Sequence, residues 1–158
     1  MLLTIPSHDY STHAHASIGQ HLLRGEIGST VSYRPPFDDW YVSASGSHVF
    51  SEHPLGVNID HWKAELEAGY FLAPNFAARA LLLVKQGNGL SFPRDFVTPE
   101  LFETHDKLIK NNFVEAGVGF DWFLDGGRRV SGTAIRMIHS EDTHILKYGF
   151  LLTVGQSF

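Results

Sequence analysis

The charged residues of this sequence recur at period two inside otherwise apolar stretches. Arg24 and Glu26, Lys63, Glu65 and Glu67, Arg79 and Lys85, Glu115 and Asp121, Arg136 and Lys147 each fall opposite the large apolar residues of their stretch. Successive side chains of an extended chain point to opposite faces. These residues are therefore expected to share one face, with positive and negative charge nearly balanced along it. Two chemistries fit such a face. One is a polar lining that passes or binds a small solute. The other is a ladder of ion pairs that fills a narrow barrel.

Other reactive residues give weaker patterns. The chain has 10 histidines. His21, His48, His53, His61, His105, His139 and His144 gather near one set of strand ends, and His13 and His15 lie two apart near the amino terminus. Neutral imidazoles bind transition metals, but the same residues read more simply as solvated loop side chains, and no metal site is assigned. A hydrolase would need a serine within reach of a base that is itself oriented by a third group. Ser140 beside His139 and Glu141, and Ser47 beside His48, are the candidates. Neighbours in a strand face opposite ways, so neither pair forms a dyad by adjacency. No Gly-Xaa-Ser-Xaa-Gly element, phosphate loop or dinucleotide fingerprint occurs. No catalytic residue and no cofactor is therefore expected. Cysteine is absent, so there is neither a disulfide framework nor a thiolate metal site. A net charge of −5 argues against nucleic acid as a partner.

The elements that must position the charged face are strands. Alternation runs over 21–33, 40–49, 62–72, 77–85, 112–123, 129–139 and 147–158, and residues 1–18 read as loop or as the stub of a preceding strand. In the stretch 129–139, Thr133, Ile135 and Met137 are expected to face outward with the apolar set, and Ala134 and Arg136 inward. Thr98 and Pro99 suit the cap and first position of a helix over 99–110, inside the long connection 86–111. The connections 34–39, 73–75 and 124–127 are short. Those at 50–59, 86–111 and 139–144 are mostly longer, and the two kinds alternate. Trp62 and Tyr70 lie on one apolar face about 26 Å apart, close to the roughly 25 Å apolar band of a membrane barrel, whose edges carry aromatic girdles. Trp40 and Trp122 join them as girdle candidates. No run of about 18 apolar residues exists for a spanning helix.

The final stretch alternates Phe150, Leu152 and Val154 on one side and ends on Phe158. This resembles the closing strand of bacterial outer-membrane β-barrels, where such residues form the insertion signal. Gln156 departs from that pattern, which usually has an apolar residue there. Over residues 60–158, His105-Asp106-Lys107-Leu108, Gly117-Val118-Gly119, Glu141-Asp142-Thr143-His144 and Val154-Gly155-Gln156-Ser157-Phe158 resemble the tail of transporter-like outer-membrane barrels of the meta-pathway phenol-degradation type. The resemblance implies an all-β, antiparallel, up-and-down transmembrane barrel in a Gram-negative outer membrane. It implies membrane lipid and the barrel-assembly machinery as partners, and a channel or transporter for a small solute. Closed bacterial barrels have an even number of strands. With about seven or eight strands and no secretory signal at the amino terminus, residues 1–158 are expected to be a single barrel domain that forms the carboxy-terminal part of a larger barrel. Two other readings stay open. One is a soluble ligand-binding barrel with its faces inverted, because periodicity alone does not say which face is inside. The other is a lipid-hydrolysing barrel enzyme.

Overall fold

The structure is a computed structural model that describes residues 1–5, 22–141 and 148–156. It is all-β. A single eight-stranded antiparallel sheet runs β1 to β8 in chain order, an up-and-down half-barrel. The strands are β1 (Leu2–Thr4), β2 (Arg24–Tyr33), β3 (Trp40–Ser51), β4 (His61–Ala73), β5 (Phe76–Gly87), β6 (Asn112–Leu124), β7 (Arg128–Glu141) and β8 (Gly149–Gln156). All turns at one end are short, and the opposite end carries the longer connections. We call these the turn end and the loop end.

Alternation forms the strands because each buries or exposes every second side chain. Cross-strand register then carries one face around the sheet. Leu66 lies opposite Ala44 on β3 and Leu82 on β5, Leu82 lies opposite Ala116, and Val118 lies opposite Ala134. This convex face exposes its apolar side chains, including Leu66, Leu82, Val118 and Leu152. The concave face carries most of the strand charges and is the more buried of the two. A soluble barrel would crowd the apolar set around a shared interior, and this sheet does the reverse.

Strand β7 departs from the sequence expectation. Leu124 lies opposite Arg128 across the 125–127 turn, which puts Val130 opposite Trp122 and Gly132 opposite Phe120. Ala134 and Arg136 therefore join the convex face, while Thr133, Ile135 and Met137 join the concave one. The apolar character of Ile135 and Met137 suggests the opposite assignment, but the turn length fixes the register. Packing agrees with it. A Cβ on Gly132 would stand 2.4 Å from the Phe120 ring, and one on Gly117 would meet both Ile135 and Leu81. Ile138 is the extra residue of a bulge, since Val114 pairs with His139 but Glu115 with Met137.

At the loop end, the 88–111 connection folds on itself. Thr98 Oγ1 accepts a hydrogen bond from Leu101 N–H at 3.3 Å, capping α1 (Pro99–Glu103), and α2 (His105–Leu108) follows. The helical stretch is thus two short pieces rather than one. Phe92, Phe96, Phe102 and His105 pack ring against ring, with centroids 5.5–6.4 Å apart. Leu108 is fully buried, and Leu22, Val49 and Ile59 are buried as well. Outside the strands, Ser91 N–H donates to Asp95 at 2.9 Å and holds that carboxyl below its usual range.

Candidate functional site

The concave face divides into two surfaces of different chemistry. Near the turn end, β3 to β7 share one network. Arg79 on β5 is its hub. Its guanidinium donates to Glu67 on β4 at 2.7 Å and to Thr133 on β7 at 2.6 Å, and its Nε lies 3.4 Å from Asp121 on β6. Tyr41 on β3 donates its hydroxyl hydrogen to Glu67 at 2.8 Å. Asp121 also accepts from Arg129 at 2.8 and 3.1 Å and from Ser131 at 2.5 Å. The Asp121 side chain is only 3% exposed and that of Arg79 12%, so these charges are stabilised by one another rather than by water. Register makes the space. Gly119 faces Arg79 across β5 and β6, and the Tyr41 ring lies over Gly69, where an added Cβ would stand 2.1 Å from it.

Beside this wall, β2 and β3 present small hydroxyl residues. Thr30, Ser45 and Ser47, together with Gly28, line a groove of about 450 Å³ whose far wall is Lys63, Glu65 and Leu83. Ser32 and Ser43 extend the stripe toward the turn end with their hydroxyl oxygens 3.0 Å apart. Glu65 is exposed within the groove. Lys63 closes its loop end by pairing with Glu26 at 2.9 Å. Glu115 is half-buried on the concave face, opposite Leu83 and Met137.

The structure thus places Arg24, Glu26, Lys63, Glu65, Glu67, Arg79, Lys85, Glu115 and Asp121 on the concave face. It gathers Glu67, Arg79 and Asp121 into one network and holds Arg24, Glu26, Lys63 and Lys85 apart at the loop end. Arg136 does not belong with them. It lies on the convex face with its guanidinium carbon 5.7 Å from the Tyr148 ring centre. Lys147 and Phe158 lie outside the described residues. Sequence reasoning missed Tyr41, Arg129, Ser131 and Thr133. Arg129 and Ser131 had a usable signal, because the three-residue turn sets them across β6 beside Asp121. Tyr41 had none.

On the convex face, Trp40 sits opposite Tyr70, and Tyr33 meets Trp40 edge to face at 6.0 Å. Trp122 completes the band at the turn end, and Trp62 stands near the loop end. Phe150, Leu152 and Val154 are exposed on the same face. Ser47 and His48, and likewise His139 and Ser140, are successive strand residues that point to opposite faces. His53 approaches Asp60 at 3.7 Å. Among the described residues no three His, Asp or Glu side chains converge to hold a metal ion, while His13, His15, His21 and His144 lie outside those residues.

No protein-family model matches the chain. No curated protein matches it in sequence. A crystal structure of an outer membrane channel from Pseudomonas putida F1 is similar, with a TM-score of 0.70 and 14% identity over 96% of this chain and 55% of that one. The likeness is one of fold. The chain spans about half the length of that channel.

Proposed function

We propose that this chain forms one wall of a Gram-negative outer-membrane channel, with its convex face against lipid and its concave face lining the path of a small solute. The observation that carries this reading is the unequal exposure of the two faces. Leu66 is 54% exposed, Val118 65% and Val154 72%, while most of the strand charges stand on the concave face. Monomeric soluble proteins rarely expose apolar patches beyond a few hundred Å², and this one runs across the whole sheet. In hydrocarbon the same arrangement is favourable, because charge on a lipid face costs about 2–4 kcal/mol near the midplane. The aromatic band at the turn end fits an interfacial girdle. Arg136 fits as well. It lies opposite Ala116 with its guanidinium carbon 5.7 Å from the Tyr148 ring centre, a cation–π contact that offsets part of the cost of its charge.

The sheet edges define what else the channel needs. β1 pairs only with Arg24–Glu26, so residues 27–33 of β2 have no strand beyond them among the described residues. β8 is the other edge. Each unsatisfied backbone group in lipid costs several kcal/mol, so the working barrel places further strands against both edges. Phe150, Leu152, Val154 and Phe158 would be read by the barrel-assembly machinery. Passage rather than catalysis is proposed, since neither serine–histidine pair shares a face.

The test is reconstitution. The barrel completed by those further strands should require detergent when purified and migrate as a heat-modifiable species on gels. It should raise the conductance of planar bilayers in discrete steps. A protein that stays monomeric and soluble without detergent would sink the proposal.

A further inference from the structure

The loop end of the concave face concentrates positive charge. Lys63 on β4 lies directly opposite Lys85 on β5. Like charges in that relation destabilise a sheet. Arg24, His61, Lys85 and Lys107 line one small cavity there, together with the amide side chains of Asn88 and Asn111. Lys107 is brought to this wall by the 88–111 connection, which is anchored through the buried Leu108 and the pairing of Leu90 with residues 108–110. Lys63 has a carboxylate partner in Glu26. Among the described residues neither Lys85 nor Lys107 forms an ion pair. Lys85 has the Phe113 ring beside it, its ammonium 5.8 Å from the ring centre.

We propose that this cavity is an oxyanion site, in which Lys85 and Lys107, with Arg24 and His61, hold a single carboxylate or phosphate group at the mouth of the passage. The anion supplies Lys85 and Lys107 with the counter-charge that Glu26 already gives Lys63. Asn88 and Asn111 also line the cavity, and an amide side chain carries two N–H donors that an oxygen acceptor can take. The inference deepens the channel reading and rests on it only for the route by which the anion arrives. It makes the favoured solute an organic acid or an inorganic oxyanion. Its strand residues His61 and Lys85 lie on the concave face, so a free anion is the ligand rather than a lipid headgroup.

Inorganic phosphate is the probe. The full chain in detergent micelles is titrated with phosphate and followed by phosphorus NMR line broadening, which does not depend on conduction. Lys85→Gln and Lys107→Gln should each weaken binding about tenfold, the loss of one charge-assisted contact. Lys110→Gln, which removes a loop lysine paired with Glu141 at 3.6 Å, should leave binding within about twofold. Phosphate should raise the thermal unfolding temperature of the wild type and not that of Lys85→Gln. Without phosphate, Lys85→Gln should melt at or above the wild type, which shows the variant folded. Absence of phosphate binding, or equal weakening in all three variants, overturns the site. So does competition by lipid A in mixed micelles, which would place the anion on the outer surface. Binding as described with no bilayer conductance would overturn the channel reading and leave the site standing.

Discussion

Two neighbouring surfaces of the concave face use polar residues in opposite ways. The wall of β3 to β7 near the turn end packs Glu67, Arg79 and Asp121 until each charge is satisfied by another side chain. The stripe of Thr30, Ser45 and Ser47 leaves its hydroxyls facing a groove. A buried ion network rigidifies, because removing one member strands the rest in a poor dielectric. A hydroxyl lining tolerates change, because water replaces whatever is lost. The difference teaches that the interlocked charges near the turn end mark where the barrel is braced, and that the small residues beside them mark where it is open.

The comparison breaks most severely at the hub. Arg79→Ala leaves Glu67 and the buried Asp121 without their shared cation and should cost about 3–5 kcal/mol, read as a lowered midpoint in urea unfolding from lipid vesicles. A loss under about 1 kcal/mol would mean that water already satisfies the wall. The two faces themselves are next. Leu152→Arg on the convex side should cost about 2–4 kcal/mol, and Leu151→Arg on the concave side much less. Equal costs for the two would remove the distinction between lipid and lumen. Third is Gly69→Ala, whose methyl would meet the Tyr41 ring and should cost about 1–3 kcal/mol. It should also free the Tyr41 hydroxyl from Glu67, which tyrosine fluorescence can follow. The smallest effect on stability is expected in the groove. Ser45→Tyr should change unfolding by no more than about 0.5 kcal/mol and yet lower single-channel conductance clearly. If Arg79→Ala changes conductance and Ser45→Tyr does not, the passage runs along the ionic wall instead.

Much of this was legible in the sequence. The alternation of Trp62 through Leu72 against Lys63, Glu65 and Glu67 gave a strand and its two faces directly. The alternation of short and long connections gave the up-and-down order. The charges of β2, β4, β5 and β6 share one face for the same reason. β7 did not. Its apolar residues divide between the faces, and Ile135 and Met137 outweighed Arg136 in a reading based on residue type. The partners of Arg79 were not legible either, because Glu67 and Thr133 lie 12 and 54 residues away in sequence.

The sequence by itself determined that the chain forms strands, where they turn, and which residues of most strands lie together on a face. Those are local properties, set by a two-residue period and by turn-forming residues. The tertiary structure decided which face is convex, which register β7 takes, and which distant charges meet. Those depend on how hairpins align and how the whole sheet curls, and a one-residue shift in pairing exchanges every side chain between the two faces.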